Sequence, residues 1–130
     1  MKFFAPCYGP PRSMDCIFCK IIKKEIPSVT VYEDDNILAF KDIRPIAPVH
    51  IIIIPKRHIE SVNDLKDSDS KLAGELIVAA KKIAKDFDIS EKGYKLLIRT
   101  GEWGGQEVSH IHMHLIGGAK LYENIHPVME

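Results

Sequence analysis

Three of the chain's six histidines fall within five residues, in the stretch "SHIHMHLI" at residues 109–116. In a β-strand successive side chains alternate faces, so His110, His112 and His114 share one face, and Ile111, Met113 and Leu115 fill the other. A single histidine on a strand is ordinarily a polar surface group or a hydrogen-bonded core residue. Three on one face opposite an apolar one ask for more, because imidazole is a poor hydrophobe and needs partners when buried. Two chemistries suit such a row. It can ligate a metal, or one ring can be a nucleophile that the others help to orient.

Other residues bear on that choice. Cys16-Ile-Phe-Cys19 has the spacing of a zinc half-site or a redox pair. The redox reading wants a preceding strand and a thioredoxin-like βαβ context, which this sequence lacks. Zinc needs about two further ligands, for which His50, His58 and the triad are the candidates, and a chance pairing of two cysteines is the simpler alternative. The stretch "TGEWGGQE" sets Gly101, Gly104 and Gly105 just before the histidines. Glycines let backbone N–H groups converge on an anion. Alone this is a hairpin turn; beside a possible nucleophile it becomes a candidate anion hole. Lys41, Asp42 and Arg44 read as a solvated turn, and Phe18 and Phe40 as core.

The elements that must position these groups follow from periodicity. The stretch "DCIFCKIIKKEIP" suggests a short helix with Asp15 as cap and Pro27 as stop. "SVTVYED" and "NILAFKD", split by Asp-Asp-Asn, form a hairpin. "PVHIIIIP" is a strand whose four isoleucines call for cover on both faces. Over residues 69–88, Leu72, Leu76, Ala79, Ala80, Ile83 and Phe87 recur every three or four positions, which predicts the one long helix, started by the polar residues 67–70. "YKLLIRTG" and "VSHIHMHLIG" make a second strand pair. The order β-β-β-α-β-β implies an α+β domain, an antiparallel sheet with the helix on one face.

Composition bounds the function. The 130 residues suit one domain, and 45% hydrophobic with 28% charged residues is ordinary for a globular protein. Eighteen basic and eighteen acidic residues leave no net charge, which argues against dedicated nucleic-acid binding. No apolar run approaches the roughly 20 residues of a membrane span. The start, "MKFFAPCYGPPRS", reads as a loose tail without the apolar core of a signal peptide; Met14 is an alternative start and Cys7 a free thiol. Three cysteines make a disulfide framework improbable, and the expected location is cytoplasmic.

The residues "HIHMHLI" have the pattern of the histidine-triad (HIT) nucleotide-binding proteins. Together with "CIFCKIIKKEIPSVTVYEDDNILAFKDIRPIAPVHIIIIPKRHI" and "GYKLLIRTGEWGGQEVSHIHMHLIGG", the chain resembles the HINT branch of that family over residues 15–118, leaving residues 1–14 and 119–130 as tails. The resemblance implies a HIT-like fold, a five-stranded antiparallel sheet with one long and one or two short helices, assembled as a homodimer. It implies a hydrolase acting on purine nucleoside 5′-phosphoramidates, derivatives of AMP or GMP, through a nucleotidyl-histidine. The alternatives are a dinucleoside polyphosphate hydrolase and a nucleotide-binding protein with little turnover. By the same resemblance His112 is the nucleophile, held by the carbonyl of His110. His114 contacts the phosphate oxygens, with His50 close to the same site, and Gln106 with the N–H groups around Gly105 to Val108 stabilises the charge. Asp42 accepts from the ribose, and Ile17, Phe18, Ile21, Phe40 and Ile43 wall in the base. A structural zinc would sit on Cys16, Cys19, His58 and His110. The chain departs from the family pattern at Arg99, usually asparagine and near the ribose and phosphate. It departs also at Glu107, where some relatives have a serine that helps the leaving group, and at Ser109, often tyrosine.

Overall fold

The computed structural model describes residues 15–128. The expectations for residues 1–14, including Cys7 and the alternative start at Met14, lie outside the described residues. Helix α1 (Ile17–Ile22) leads into strands β1 (Thr30–Glu33), β2 (Ile37–Lys41) and β3 (Val49–Pro55). Two 3-10 turns (Val62–Asp64 and Asp67–Asp69), helix α2 (Ser70–Asp86), and strands β4 (Tyr94–Ile98) and β5 (Met113–Gly117) complete the order. The sheet is antiparallel and runs β1-β2-β3-β5-β4, so the expected α+β architecture holds.

The isoleucine run of β3 explains the two layers. Ile51 and Ile53 point to the α2 face, packing with Ile37, Ala39, Met113, Leu115 and the helix stripe Leu76, Ala79, Ala80, Ile83 and Ala84. Ile52 and Ile54 point to the other face, where Leu38 and Phe40 meet Cys16, Phe18, Cys19 and Ile21. A strand covered on both sides has no polar face, hence the continuous apolar run. Each such side chain contributes about 1.5–3 kcal/mol on full burial. Asp69 anchors the start of α2: it accepts from the Lys66 N–H at 2.9 Å and pairs with Arg57.

Two local expectations need correction. Helix α1 is capped by Cys16, not Asp15; the Cys16 sulfur accepts from the Cys19 N–H at 3.4 Å. It ends well before Pro27, because Lys24 adopts a left-handed φ of 65° and its N–H turns back to the Ile21 carbonyl. The histidine strand also begins later than its pattern implies, at Met113. The β3–β5 pairing stops at Ile53↔Met113, although β3 itself runs on to Pro55, so no ladder bonds hold His110 and His112. Instead, the Ile111 N–H bonds the Ile59 carbonyl at 2.7 Å. The segment stays extended enough to keep the alternation, with Ile111, Met113 and Leu115 buried toward the core.

Candidate active site

β5 and the segment before it present His112 and His114 on the α1 side of the sheet, with His114 opposite Ile52 of β3 and Leu97 of β4. His50 enters from β3, two positions earlier in register than Ile52. The rings of His112 and His114 lie 5.1 Å apart, as do those of His50 and His114. All three are biased toward the neutral form. Burial lowers the His112 pKa, and the field of Arg99 adds to it. Burial followed by the fields of His112, His50 and Arg99 takes His114 down to about 4. Burial, again with Arg99, lowers His50.

Neutral imidazoles have tautomers, and here the hydrogen bonds select them. The His110 carbonyl can only accept, so the His112 Nδ1, 2.8 Å away, carries the proton. Its Nε2 is therefore a bare lone pair. The Ile46 N–H donates to His50 Nδ1 at 3.2 Å, which puts the His50 proton on Nε2. That N–H faces His114 Nδ1 at 2.9 Å, leaving the His114 proton on Nε2, free to donate outward. One ring thus offers a nucleophile and its neighbour a donor. The same logic disfavours the trio Asp42, His50 and His114 as a metal site, although their ligand atoms are close. Ligation through His50 Nε2 would need a proton on Nδ1, against the Ile46 N–H.

A separate cluster lies beneath. Cys16, Cys19, His58 and His110 bring their ligand atoms within 4.8 Å of one another. His110 donates from Nε2 to the Pro55 carbonyl at 2.9 Å, so its Nδ1 lone pair faces the thiols. Burial and neighbouring Cys16 push the Cys19 thiol up to about 12, and burial with His110 lowers His58.

The other expected residues fall in two groups. Phe18 stands edge-on to His112 at 5.1 Å and to Phe40 at 5.7 Å. With Ile21, both phenylalanines are buried in the core of this face, while Ile17 and Ile43 are exposed; the five make a floor and a rim rather than a closed pocket. Asp42 accepts from the Arg44 N–H at 2.7 Å and lies 3.4 Å from His50 Nε2, at the cleft. Val108 packs on the α1 core. Glu107 is exposed and its charge reaches His112.

The glycine turn engages several of its own polar groups. Gly105, with φ of 84°, spends its N–H on the Glu102 carbonyl, and the Gln106 N–H goes to Gly101. The Gln106 amide donates to the Glu60 and Val108 carbonyls at 2.7 and 2.9 Å and accepts from the Gly101 N–H at 2.9 Å. With both amide donors engaged by carbonyls, Gln106 braces the loop in this structure. Among the described residues, the N–H groups of Glu107 and Val108 make no hydrogen bond and are the available anion donors. Sequence reasoning missed two backbone groups, the Ile46 N–H and the Pro55 carbonyl. No side-chain signal marks them.

A family model, the HIT domain, matches residues 23–121. The purine nucleoside phosphoramidase of Escherichia coli K12 is 51% identical over 107 residues, spanning 82% of this chain and 90% of that protein. A HIT family hydrolase from Legionella pneumophila superposes with a TM-score of 0.81 at 52% identity, covering 82% of this chain and 96% of its own. A histidine triad protein from Clostridium difficile gives 0.83 at 45% identity, covering 86% and 97%.

Proposed function

The chain belongs to the HIT domain family, and from that premise we propose that it hydrolyses purine nucleoside 5′-phosphoramidates by covalent catalysis through His112. The likeness to the phosphoramidase of Escherichia coli supports the substrate class. The observation that carries the mechanism is the 2.8 Å contact from His112 Nδ1 to the His110 carbonyl, which leaves Nε2 as a lone pair. Nε2 attacks the α-phosphorus, the P–N bond breaks, and the leaving nitrogen takes its electron pair and a proton from water. The nucleotidyl-imidazole formed is cationic, and its Nδ1–H to the His110 carbonyl becomes a charge-assisted bond. Water then attacks phosphorus, gives its proton to the hydroxide left by the first step, and expels neutral His112, giving the nucleoside monophosphate. His114 Nε2–H and the Glu107 and Val108 N–H groups steady the phosphoryl oxygens. Asp42 meets the ribose, and Phe18 and Phe40 the base.

Zinc on Cys16, Cys19, His58 and His110 is part of this reading. A tetrahedral ion with metal–nitrogen bonds of about 2.0–2.1 Å and metal–sulfur bonds of about 2.3 Å has N–N edges near ~3.3 Å and N–S edges near ~3.6 Å. The His58 and His110 Nδ1 atoms are 3.2 Å apart, and three sulfur–nitrogen separations are 3.3, 3.5 and 3.6 Å. When bound, zinc would hold the thiolates and fix His110, whose carbonyl orients His112; four protein ligands make such an ion structural. A homodimer in the cytoplasm completes the proposal. Among the described residues, the outer edge of β4 has no strand partner, and no helix is long and apolar enough to cross a membrane.

The test is intact-mass spectrometry after rapid quench with an adenosine phosphoramidate. Wild type is expected to carry an adenylyl adduct and His112→Ala none, with turnover lower by at least about a thousandfold. Retained turnover in His112→Ala would end the nucleophile assignment.

A further inference from the structure

Arg99 stands one residue beyond β4, next to the last register pair Ile98↔Met113, and side-chain alternation puts it on the face of Leu97 and His114. Its side chain runs over the glycine turn: a Cβ on Gly105 would meet Arg99 Cδ at 3.3 Å and Nε at 3.7 Å. A side chain at 105 would crowd that path, and the φ of 84° there favours glycine. Among the described residues Arg99 makes no ion pair, whereas Lys95, four residues before it, is paired with Glu123 at 2.7 Å. The guanidinium field reaches His50, His112 and His114 and disfavours a proton on each. This unpaired cation is therefore available to an anion in the ligand.

Its position says which part of the ligand. The α-phosphoryl oxygens already have the His114 donor and two backbone N–H groups. The nucleoside side of His112 is walled by Phe18 and Phe40, from α1 and β2. Arg99 lies on the opposite, β4 side. From it a cavity of about 400 Å³ extends along Leu97 and Ile116 to Leu121, Tyr122 and Ile125. That volume falls within the range of small-molecule sites, and its walls are mostly apolar with Arg99 at one end.

We propose that Arg99 is a specificity-determining residue that selects substrates whose leaving group carries a negative charge near the scissile bond, the adjoining cavity taking the rest of that group. The inference rests on the phosphoramidase reading. A guanidinium bound to a carboxylate or phosphate makes paired charge-assisted hydrogen bonds that neither asparagine nor glutamine can replace.

The experiment compares kcat/KM of wild type, Arg99→Gln and Arg99→Lys on two adenosine 5′-phosphoramidates. One is N-linked to alanine, with a free carboxylate, and the other to alaninamide, which is neutral. Diadenosine tetraphosphate, whose leaving group bears phosphates, is the third arm. Arg99→Gln should lower the carboxylate substrate about ten- to a hundredfold more than the amide, the effect of one lost charged hydrogen bond. Arg99→Lys should recover part of that difference. A larger differential loss on the tetraphosphate would assign the anion to phosphate, and a larger one on the alanine substrate to a carboxylate. An equal loss on all three substrates, or none, would overturn the proposal, since Arg99 would then serve the shared α-phosphate or nothing. If wild type turns over neither phosphoramidate, the phosphoramidase reading itself has failed, an outcome distinct from the loss of charge selectivity.

Discussion

Replacing His50 by leucine removes the one N–H donor to His114 Nδ1, 2.9 Å away, and with it the group that keeps the His114 proton on Nε2. The cost follows from burial. A neutral hydrogen bond contributes about 0.5–1.5 kcal/mol net, and more when its loss strands a fully buried partner. His114 is only partly buried, so water can reach Nδ1 and the lower range applies. At about 1.36 kcal/mol per tenfold in rate, kcat should fall roughly two- to tenfold. The Ile46 N–H released from His50 lies on an exposed residue and adds little. A second readout separates orientation from general damage. His114 is held at about 4 first by burial, then by the fields of His112 and His50. Without His50 both its repulsion and its hydrogen bond to the neutral ring are gone, so the His114 pKa rises and the acid limb of the kcat–pH profile moves to higher pH. Glutamine at 50 keeps an amide N–H near the original Nε2 and should restore most of kcat. Steady-state kinetics from pH 4 to 8 on the three proteins would decide. An unchanged kcat and acid limb in His50→Leu, or a glutamine variant no better than leucine, would refute the relay.

Cys19→Ser should abolish bound zinc, measured by elemental analysis of the purified protein, and lower the unfolding temperature. His112→Ala should keep full zinc content, because His112 stands outside that cluster; zinc lost with His112 would dismiss the assigned ligand set. Ile53, fully buried between β3 and α2, should cost about 2–5 kcal/mol on truncation to alanine, read from denaturant unfolding; a loss under about 1 kcal/mol would mean the site collapses freely. Stability should also fall with acid in one window. His114 binds its proton at about 4 in the folded chain against the usual 6.5, so between these values the unfolded state holds more protons and stability rises with pH. The contribution is fully present above about 6.5 and lost as pH falls toward 4. In His114→Asn the slope of unfolding free energy over that window should be shallower than in wild type, and an identical slope would contradict the shift.

Much of this protein is set by local pattern. The period of the α2 stripe, the turn residues of the first hairpin and the all-apolar β3 are enough to specify a helix and strands in the right order, because each pattern buries one face of one element. The histidine spacing survives even where the strand does not. His110 and His112 precede the assigned strand, yet alternation of side chains in any extended backbone still sends them away from Ile111 and Met113. The family motif carries the cysteines and His58 to one cluster.

What tertiary structure alone decided is which atom of each ring carries a proton and which groups remain available. That depends on where backbone carbonyls and amides come to lie: Pro55 for His110, 55 residues away, and Ile46 for His50, which in turn sets His114 from 64 residues away. Backbone groups are the same at every non-proline residue, so no side-chain pattern can show where they will point. Gln106 illustrates the same point. Its motif suggests a phosphate contact, and only the folded turn shows its amide engaged at Glu60 and Val108. Arg99 is visible in the sequence as an unusual residue. Its unpaired charge facing the histidines comes from the β4–β5 register and the space left by Gly105, and both exist only once the sheet has formed.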